Sequence, residues 1–172
     1  MTIFGKSLSE YVQFQKAILG FIVIVGLGRL GLSLAGVPNS TVKFLSLTAA
    51  TILAWLFVTY KVHKAQFGGY KQLLPLIVIQ NLVGQIVVAA AVALAILTTR
   101  VNIYTAPEYS GGADGRTWGH AGAHLFFVTI FGSIVGWGIS SLLLFILRKT
   151  SAKSQATTSQ AEARSKSAGA GR

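Results

Sequence analysis

The chain has 172 residues, of which 52% are hydrophobic and only 11% are charged. Soluble domains usually carry about 25% charged residues, so this composition excludes a soluble domain and favours one membrane domain with short tails. The absence of cysteine excludes disulfides, zinc–thiolate sites and cysteine nucleophiles, and the net charge of +11 is spread beside hydrophobic segments and along the C-terminal tail. That spread is typical of orientation against anionic lipid rather than of binding to nucleic acid, so no nucleic-acid partner is expected.

The N-terminal segment, residues 1–16, is polar to amphipathic and is predicted to lie at the membrane interface. Ser7 and Glu10 within it have the spacing of a capping box, in which a hydroxyl and a carboxylate satisfy free N–H groups at a helix start. Four hydrophobic segments follow, and each is close to the length needed to cross ~30 Å of hydrocarbon. The sequence therefore predicts an all-α fold, an integral membrane four-helix bundle within residues 17–149, with spans at about 17–36, 44–60, 73–98 and 121–147.

Two segments lie outside these spans. Residues 150–172 contain no large apolar side chain, so they cannot bury a core and are predicted to form a disordered basic tail. Residues 99–120 form the longest loop and contain a glycine-rich stretch, Gly111–Gly115. This loop either folds over the mouth of the bundle or is mobile.

The lysines and arginines give the predicted bundle a direction. Eleven of them lie on the side of both termini, three lie on the opposite side, and Arg29 lies within the first span. Cytoplasmic loops carry an excess of Lys and Arg, so both termini are predicted to be cytoplasmic in a multi-pass protein of the cell (inner) membrane. The three on the opposite side are Lys43, Arg100 and Arg116.

Arg29 is the one charged residue well inside a predicted span. An arginine at the centre of a membrane helix costs about 2.5–3.5 kcal/mol on insertion scales, so such residues are functional candidates. Gly26, Ser33 and Gly36 share its helical face, which indicates that Arg29 points into the bundle. It is either a structural residue bonded to backbone carbonyls, Asp114 or Glu108, or a contact for an anionic substrate.

Polar amides form a second cluster, in the third span. Gln80, Asn81 and Gln85 occupy one arc of the helix together with Gly84, and an unpaired amide in hydrocarbon is costly. They are predicted either to bond across helices or, with Arg29, to line a polar substrate-binding site.

Small residues recur at helical spacing in two spans. Gly132 and Gly136 form a G-x-x-x-G pair in the fourth span, and Gly28 and Gly31 lie on one side of the first. Such faces let two helix backbones approach closely, so these four glycines are predicted to pack helices within the bundle or between protomers of a homo-oligomer or membrane complex.

His120 and His124 are four residues apart at the start of the fourth span. This spacing can chelate a metal, and Glu108 and Asp114 in the preceding loop are candidate oxygen ligands, which predicts a candidate metal or haem site at the outer face. The alternative is a pair of interfacial histidines that bond loop carbonyls and headgroups. His63 lies at the opposite end, so a bis-histidine haem would need one histidine from each of two protomers.

Three functional hypotheses remain, and none contains a recognisable catalytic set. The first is a non-enzymatic membrane subunit or scaffold, and the sequence favours it. The second is a small oligomeric channel or transporter for an anionic or neutral solute, lined by Arg29, Gln80, Asn81 and Gln85. The third is a redox membrane protein that binds a metal or haem through His120 and His124.

Overall fold

Helices account for most of the computed structural model, which describes the backbone of residues 2–169 and the side chains of residues 2–152. In that part of the chain, four stretches are long and apolar enough to cross a membrane, which confirms the predicted helical fold and is compatible with a multi-pass membrane protein. The helices are α1 (Leu8–Leu34), α2 (Asn39–Val42), α3 (Leu47–Ala65), α4 (Tyr70–Thr98), α5 (Trp118–Ala123) and α6 (Thr129–Gly169). A π-helical turn, His124–Val128, joins α5 to α6, and Pro107–Tyr109 forms a short 3₁₀ turn.

A small hairpin precedes α1. Strands β1 (Thr2–Ile3) and β2 (Lys6–Ser7) pair antiparallel, and Phe4 and Gly5 turn between them with positive φ. The capping box is present, because the Ser7 hydroxyl accepts from the Glu10 backbone N–H and the Glu10 carboxylate accepts from that of Ser7. The segment predicted to lie at the interface therefore divides into this hairpin and the first turns of α1.

Gln15 interrupts the helical geometry of α1 with a backbone at φ −119° and ψ 15°. A break of this kind frees a carbonyl from the helical ladder, and the Lys61 ammonium donates to the backbone oxygen of Phe14. The Lys61 nitrogen also lies 4.4 Å from the centre of the Phe14 ring. The break lies beside the predicted boundary between the interfacial segment, residues 1–16, and the first span.

Consecutive long helices alternate in direction, so α1 and α4 run parallel, and α4 lies at the centre, where it contacts α1, α3 and α6. Residues 99–117 connect α4 to α5 at one end of the bundle, called here the loop end. Residues 66–69 connect α3 to α4 at the other end, the tail end, where Arg148 of α6 donates to the Gly68 carbonyl at 2.9 Å. The apolar core along α4 includes Leu73, Leu76 and Ile77, none of which is exposed.

Side chains on the outside of the bundle are largely apolar. Phe126, Phe127 and Phe131, at the π turn and the start of α6, are 66–68% exposed, and Leu97 of α4 is 76% exposed. A soluble protein seldom exposes so much apolar surface, whereas apolar side chains that face lipid need no polar residues to shield them. This surface agrees with the composition in favouring a membrane environment.

The backbone of α6 continues as helix to Gly169, over most of the segment that the sequence predicts to be a disordered basic tail. Alanine, glutamine, lysine and arginine are good helix formers, so this segment can extend a helix already nucleated in the bundle without burying a core. Residues 170–172 of the predicted tail lie outside the described residues.

Candidate functional site

A cavity of about 330 Å³ opens in the loop-end half of the bundle, between α1, α3, α4, the π turn and the loop. Its lining includes Arg29, Asn81, Gln85 and His124, so the structure brings together members of two predicted sites that the sequence left separate. We call this space the loop-end cavity. Its remaining walls are Leu47, Thr48, Thr51, Trp55, Val88, Ile103, Tyr104, Tyr109, Val128 and Gly132.

The loop folds over this end of the bundle, which decides between the two alternatives for residues 99–120. Asn102, Ile103 and Thr105 are at most 1% exposed, and the Asn102 side chain donates to the Ala91 carbonyl at 2.9 Å. Gly115 then lies against Thr105, where a Cβ on residue 115 would come within 2.8 Å of the Thr105 Cα. The glycine-rich stretch therefore lets the loop close upon itself above the cavity.

Arg29 enters the cavity from α1 without a carboxylate partner among the described side chains. The two ion pairs formed by those side chains are Lys6 with Glu10 and Arg116 with Asp114. The Arg29 Nε is buried and has no hydrogen-bond acceptor. Of the proposed structural partners, Asp114 binds Arg116 instead, and Glu108 accepts from the Asn39 amide at 3.3 Å.

Tyr104 holds the loop against Arg29. The centre of its ring lies 5.1 Å from the Arg29 guanidinium carbon, and its hydroxyl donates to the Gly26 carbonyl at 3.0 Å. Burial raises the pKa of Tyr104 to about 12, so the phenol stays neutral at physiological pH. The contact with Arg29 is therefore a cation–π contact, which leaves the positive charge of the guanidinium uncompensated.

His124 lies on the opposite wall, in the π turn. Its Nδ1 lies 2.7 Å from the Gln85 Oε1, and because an amide oxygen only accepts, the Nδ1–H is the donor. The His120 ring packs edge-on against that of His124, with ring centres 4.8 Å apart. A π turn inserts one extra residue into a helix and is frequent at functional sites, and this one carries His124 at the cavity.

The three amides predicted to form one cluster lie in two places in the structure. Asn81 and Gln85 line the cavity, and the Asn81 amide also donates to the Ser133 hydroxyl of α6 at 3.2 Å. Gln80 faces the tail-end half, where its amide donates to the Gln15 side chain at 2.8 Å and both residues are buried. Gln80 therefore bonds helix to helix, and the two other amides contribute to the cavity wall.

The predicted packing glycines also divide. A Cβ on Gly132 would lie 3.4 Å from the Asn81 side chain, and one on Gly136 would come within 2.7 Å of the Trp55 ring, so both lie against neighbouring helices. A Cβ on Gly28 would lie 3.6 Å from the Leu45 side chain, and the packing predicted at Gly28 and Gly31, within the bundle or between protomers, stays a prediction. Both are exposed, and a Cβ on Gly31 would meet nothing within 4 Å, because that side of α1 turns outward.

The predicted metal ligands are not assembled. His120 and His124 are adjacent, but Glu108 and Asp114 are held by Asn39 and Arg116, and no three His, Cys, Asp or Glu side chains gather among residues 2–152. Hydrogen bonds from the Arg116 side chain lower the pKa of Asp114 to about 2, so the carboxylate is committed to that pair. His63 lies at the tail end, 3.1 Å from the Ser151 hydroxyl.

Trp55, Tyr104 and Tyr109 line the cavity but were not among the predicted site residues. Trp55 lies in an apolar span, where an aromatic residue is ordinarily a packing or lipid contact, and nothing in its neighbours marks it. Tyr104 and Tyr109 lie in the loop whose fold the sequence left open. The one available signal was the coincidence of a long loop and an intramembrane arginine at the same end of the bundle.

Comparison with protein-family models, curated proteins and solved structures found no match to this chain. The loop-end cavity and its arginine without a carboxylate partner are therefore the features of the described residues that indicate a function.

Proposed function

We propose that this membrane protein binds a small anionic solute in the loop-end cavity, as the solute site of a small channel or carrier. The observation that carries the proposal is the Arg29 guanidinium, which lines a cavity of about 330 Å³ with no carboxylate partner among the described side chains. A cavity of this size falls at the lower end of the range for small-molecule sites. A negatively charged solute would provide the counter-charge that the Arg29 guanidinium lacks.

Energetics favour a ligand over a purely structural purpose for Arg29. Placing an arginine within a membrane helix costs about 2.5–3.5 kcal/mol, and a cation–π contact recovers only about 0.5–1 kcal/mol at an ordinary site. A structural arginine offsets the cost through carboxylates or backbone carbonyls, whereas among the described residues the Arg29 Nε has no acceptor and no carboxylate pairs with the guanidinium. The uncompensated charge is the feature expected of a site that is completed by its ligand.

The neighbouring groups fit an anion as well. The Gln85 carbonyl oxygen is engaged by His124, which leaves its NH₂ group as the donor end of the amide. Tyr104 is neutral, and neither Asp114 nor Glu108 lines the cavity. The walls thus present positive charge and donors with no fixed negative charge to repel an anion.

The side of entry is part of the proposal. Lys43, Arg100 and Arg116 are the basic residues at the loop end, against eleven on the side of the two termini. The positive-inside rule then directs the loop end outward and both termini into the cytoplasm. An anion would reach Arg29 from the external side, after passing the edge of the loop.

A binding measurement with matched arginine variants tests the proposal. The detergent-purified protein is titrated with chloride, nitrate, acetate and phosphate, and binding is followed by calorimetry and thermal stabilisation. At least one anion should bind, and Arg29→Gln should weaken it at least about tenfold, because a hydrogen bond to a charged group is worth ~1.5–3 kcal/mol. Arg100→Gln, which removes an exposed loop-end charge, should leave the affinity unchanged.

Proteoliposomes extend the test to transport. Flux of the bound anion should be present with the wild-type protein and lost with Arg29→Gln, while both proteins keep the same helical content and elution volume. The subunit or scaffold hypothesis makes the opposite prediction: no anion binds, and Arg29→Gln affects only assembly. That result would overturn the proposal.

A further inference from the structure

A second cavity, of about 260 Å³, lies on the side of the bundle where α1 meets α3. Its lining side chains are all apolar and come from one stretch of each helix: Ala17, Ile18, Phe21, Leu53, Ala54 and Phe57. We call this space the α1–α3 groove. It shares no residue with the loop-end cavity, so it is a separate space.

The α1–α3 groove opens to the outside of the bundle. Phe21, Leu53 and Phe57 are 44–59% exposed, whereas Ile18 and Ala54 are at most 6% exposed. The two buried side chains therefore form its floor, and the exposed ones form its walls. A groove of this kind can hold a hydrocarbon chain, because no polar group on either side loses a hydrogen bond.

A lysine closes the tail end of the groove. Phe14 precedes Ala17 by about one helical turn, and Lys61 follows Phe57 by about one turn. Phe14 and Lys61 meet across the two helices, because the Lys61 ammonium donates to the Phe14 carbonyl and lies 4.4 Å from the centre of the Phe14 ring. The ammonium therefore bridges α1 and α3 at the point where the groove ends.

The positive charge of Lys61 has no carboxylate partner among the described side chains. In that part of the chain, the carboxylate at the tail end of the bundle is that of Glu10, and it pairs with Lys6. A lysine ammonium carries three N–H groups, and one of those on Lys61 donates to Phe14. The remaining N–H groups and the charge are available to an anionic group at the end of the groove.

The surroundings of Lys61 are those of a membrane interface. Tyr60 beside it is 47% exposed, and the Lys64 ammonium lies 5.9 Å from the centre of the Tyr60 ring. Lys16 is exposed on α1, next to Ala17. Tyrosine is enriched at membrane–water interfaces, and lysines flank spans on the cytoplasmic side. A lipid headgroup at this level would meet Lys61, and its acyl chain would run into the groove.

We propose that the α1–α3 groove binds an anionic phospholipid, with the first part of one acyl chain in the groove and the phosphate paired with the Lys61 ammonium. Basic pockets between membrane helices on the cytoplasmic side bind anionic headgroups, and the proposed orientation puts Lys61 on that side. The charge of the groove end selects an anionic lipid over a neutral one. This site does not depend on the proposed anion site at Arg29.

Native mass spectrometry of the detergent-purified protein tests the headgroup contact, with phosphatidylglycerol and phosphatidylcholine of identical acyl chains as the probes. The wild-type protein should bind phosphatidylglycerol about fivefold more tightly, the effect of one lysine near an anionic headgroup. Lys61→Gln keeps a donor for the Phe14 carbonyl but removes the charge, so it should bring this preference close to unity. Lys149→Gln removes an exposed charge of α6 and should leave the preference unchanged.

A second variant tests the groove and keeps Lys61 in place, in case Lys61→Gln fails to fold. Ala17 is exposed, so Ala17→Leu can fill part of the groove without entering the core. It should weaken the binding of both lipids at least about fourfold, the effect of displacing one buried methylene. Ala90→Leu, at an exposed position of α4 outside the groove, should leave both affinities unchanged.

Three results would overturn the lipid site. The first is equal affinity of the wild-type protein for the two lipids, or a preference that persists in Lys61→Gln. The second is unchanged lipid binding in Ala17→Leu. The third is a wild-type dimer that Ala17→Leu converts to a monomer, which would assign the groove to a second copy of this chain. None of these results bears on anion binding at Arg29.

Discussion

The two halves of the bundle use buried polar side chains differently: one pairs amides across helices, although the Gln15 Nε2 and Gln80 Oε1 atoms stay unpaired among the described residues, and the other lines a cavity. In the tail-end half, Gln80 of α4 donates to Gln15 of α1 at 2.8 Å, and Tyr11, Leu73 and Leu76 nearby are fully buried. In the loop-end half, the Arg29 guanidinium faces a cavity rather than another side chain that could neutralise it. The same bundle therefore uses polar residues to join helices at its tail end and to line the cavity at its loop end.

The terminal segments reinforce this difference. At the tail end, the N-terminal hairpin folds back onto the bundle: the Tyr11 hydroxyl donates to the Ile3 carbonyl, and the Gln72 amide donates to that of Phe4. The Phe67 ring stacks on Phe14 with ring centres 3.9 Å apart. At the loop end, the covering segment arches over a space and touches it with Tyr104 and Tyr109. The hairpin packs directly against the tail end of the bundle, whereas the loop covers a cavity at the loop end.

The largest expected change in stability comes from the contact of α6 with Trp55 at Gly136. Gly136→Ala places a methyl group against Trp55 and Ile77, an overpacking that costs about 1–3 kcal/mol. Gly138→Ala, two residues along α6, meets nothing within 4 Å and should gain up to ~1 kcal/mol of helix propensity. Because Gly136→Ala gains the same helix propensity, the two variants should differ by the overpacking cost alone, about 1–3 kcal/mol, in SDS-unfolding titrations in mixed micelles. Equal stability would show that Trp55 is not seated by Gly136.

A paired substitution tests the contrast between the halves directly. Arg29→Leu removes a partly buried charge that no carboxylate compensates among the described side chains, so it should leave the free energy of unfolding unchanged or raise it. Gln80→Leu strands the buried Gln15 amide and should lower it by about 1–3 kcal/mol. Unfolding titrations of both variants measure the signs. If Arg29→Leu also destabilises the protein, the arginine is structural and the contrast fails.

The smallest expected change in stability comes from the Asp114–Arg116 ion pair in the loop. The Asp114 carboxylate accepts from the Arg116 guanidinium, which donates on to the Thr99 carbonyl at 2.7 Å, and this pairing lowers the pKa of Asp114 to about 2. A lowered pKa contributes stability at neutral pH, and that contribution is lost as the pH falls from about 4 toward 2. Asp114→Asn should lower the melting temperature slightly at pH 7, and the difference from wild type should shrink at pH 2.5.

A difference that persists unchanged at pH 2.5 would contradict this assignment of the Asp114 charge. Because both side chains are exposed and the pair is screened by salt, the effect should be smaller than either effect in the bundle. It should leave anion binding unaltered, since neither Asp114 nor Arg116 lines the cavity.

The candidate site was only partly predictable from sequence. Arg29, Asn81, Gln85 and His124 stood out one at a time, because each is a polar group inside or at the end of an apolar segment. Their meeting in one cavity was not predictable, since it depends on which helix lies beside which. Gln80 illustrates the limit: it shares an arc with Asn81 on a helical wheel, yet it faces Gln15 on α1 while Asn81 faces Ser133 on α6.

The sequence by itself determined the four apolar helices and the capping box at Ser7, because hydropathy and capping act over a few neighbouring residues. Tertiary structure alone decided that the loop covers the bundle, that Glu108 and Asp114 bond away from the histidines, and that Trp55 seats at Gly136. Each of these depends on contacts between residues far apart in the chain. Such contacts follow from how helix surfaces interlock, and a local pattern of residue types does not encode that geometry.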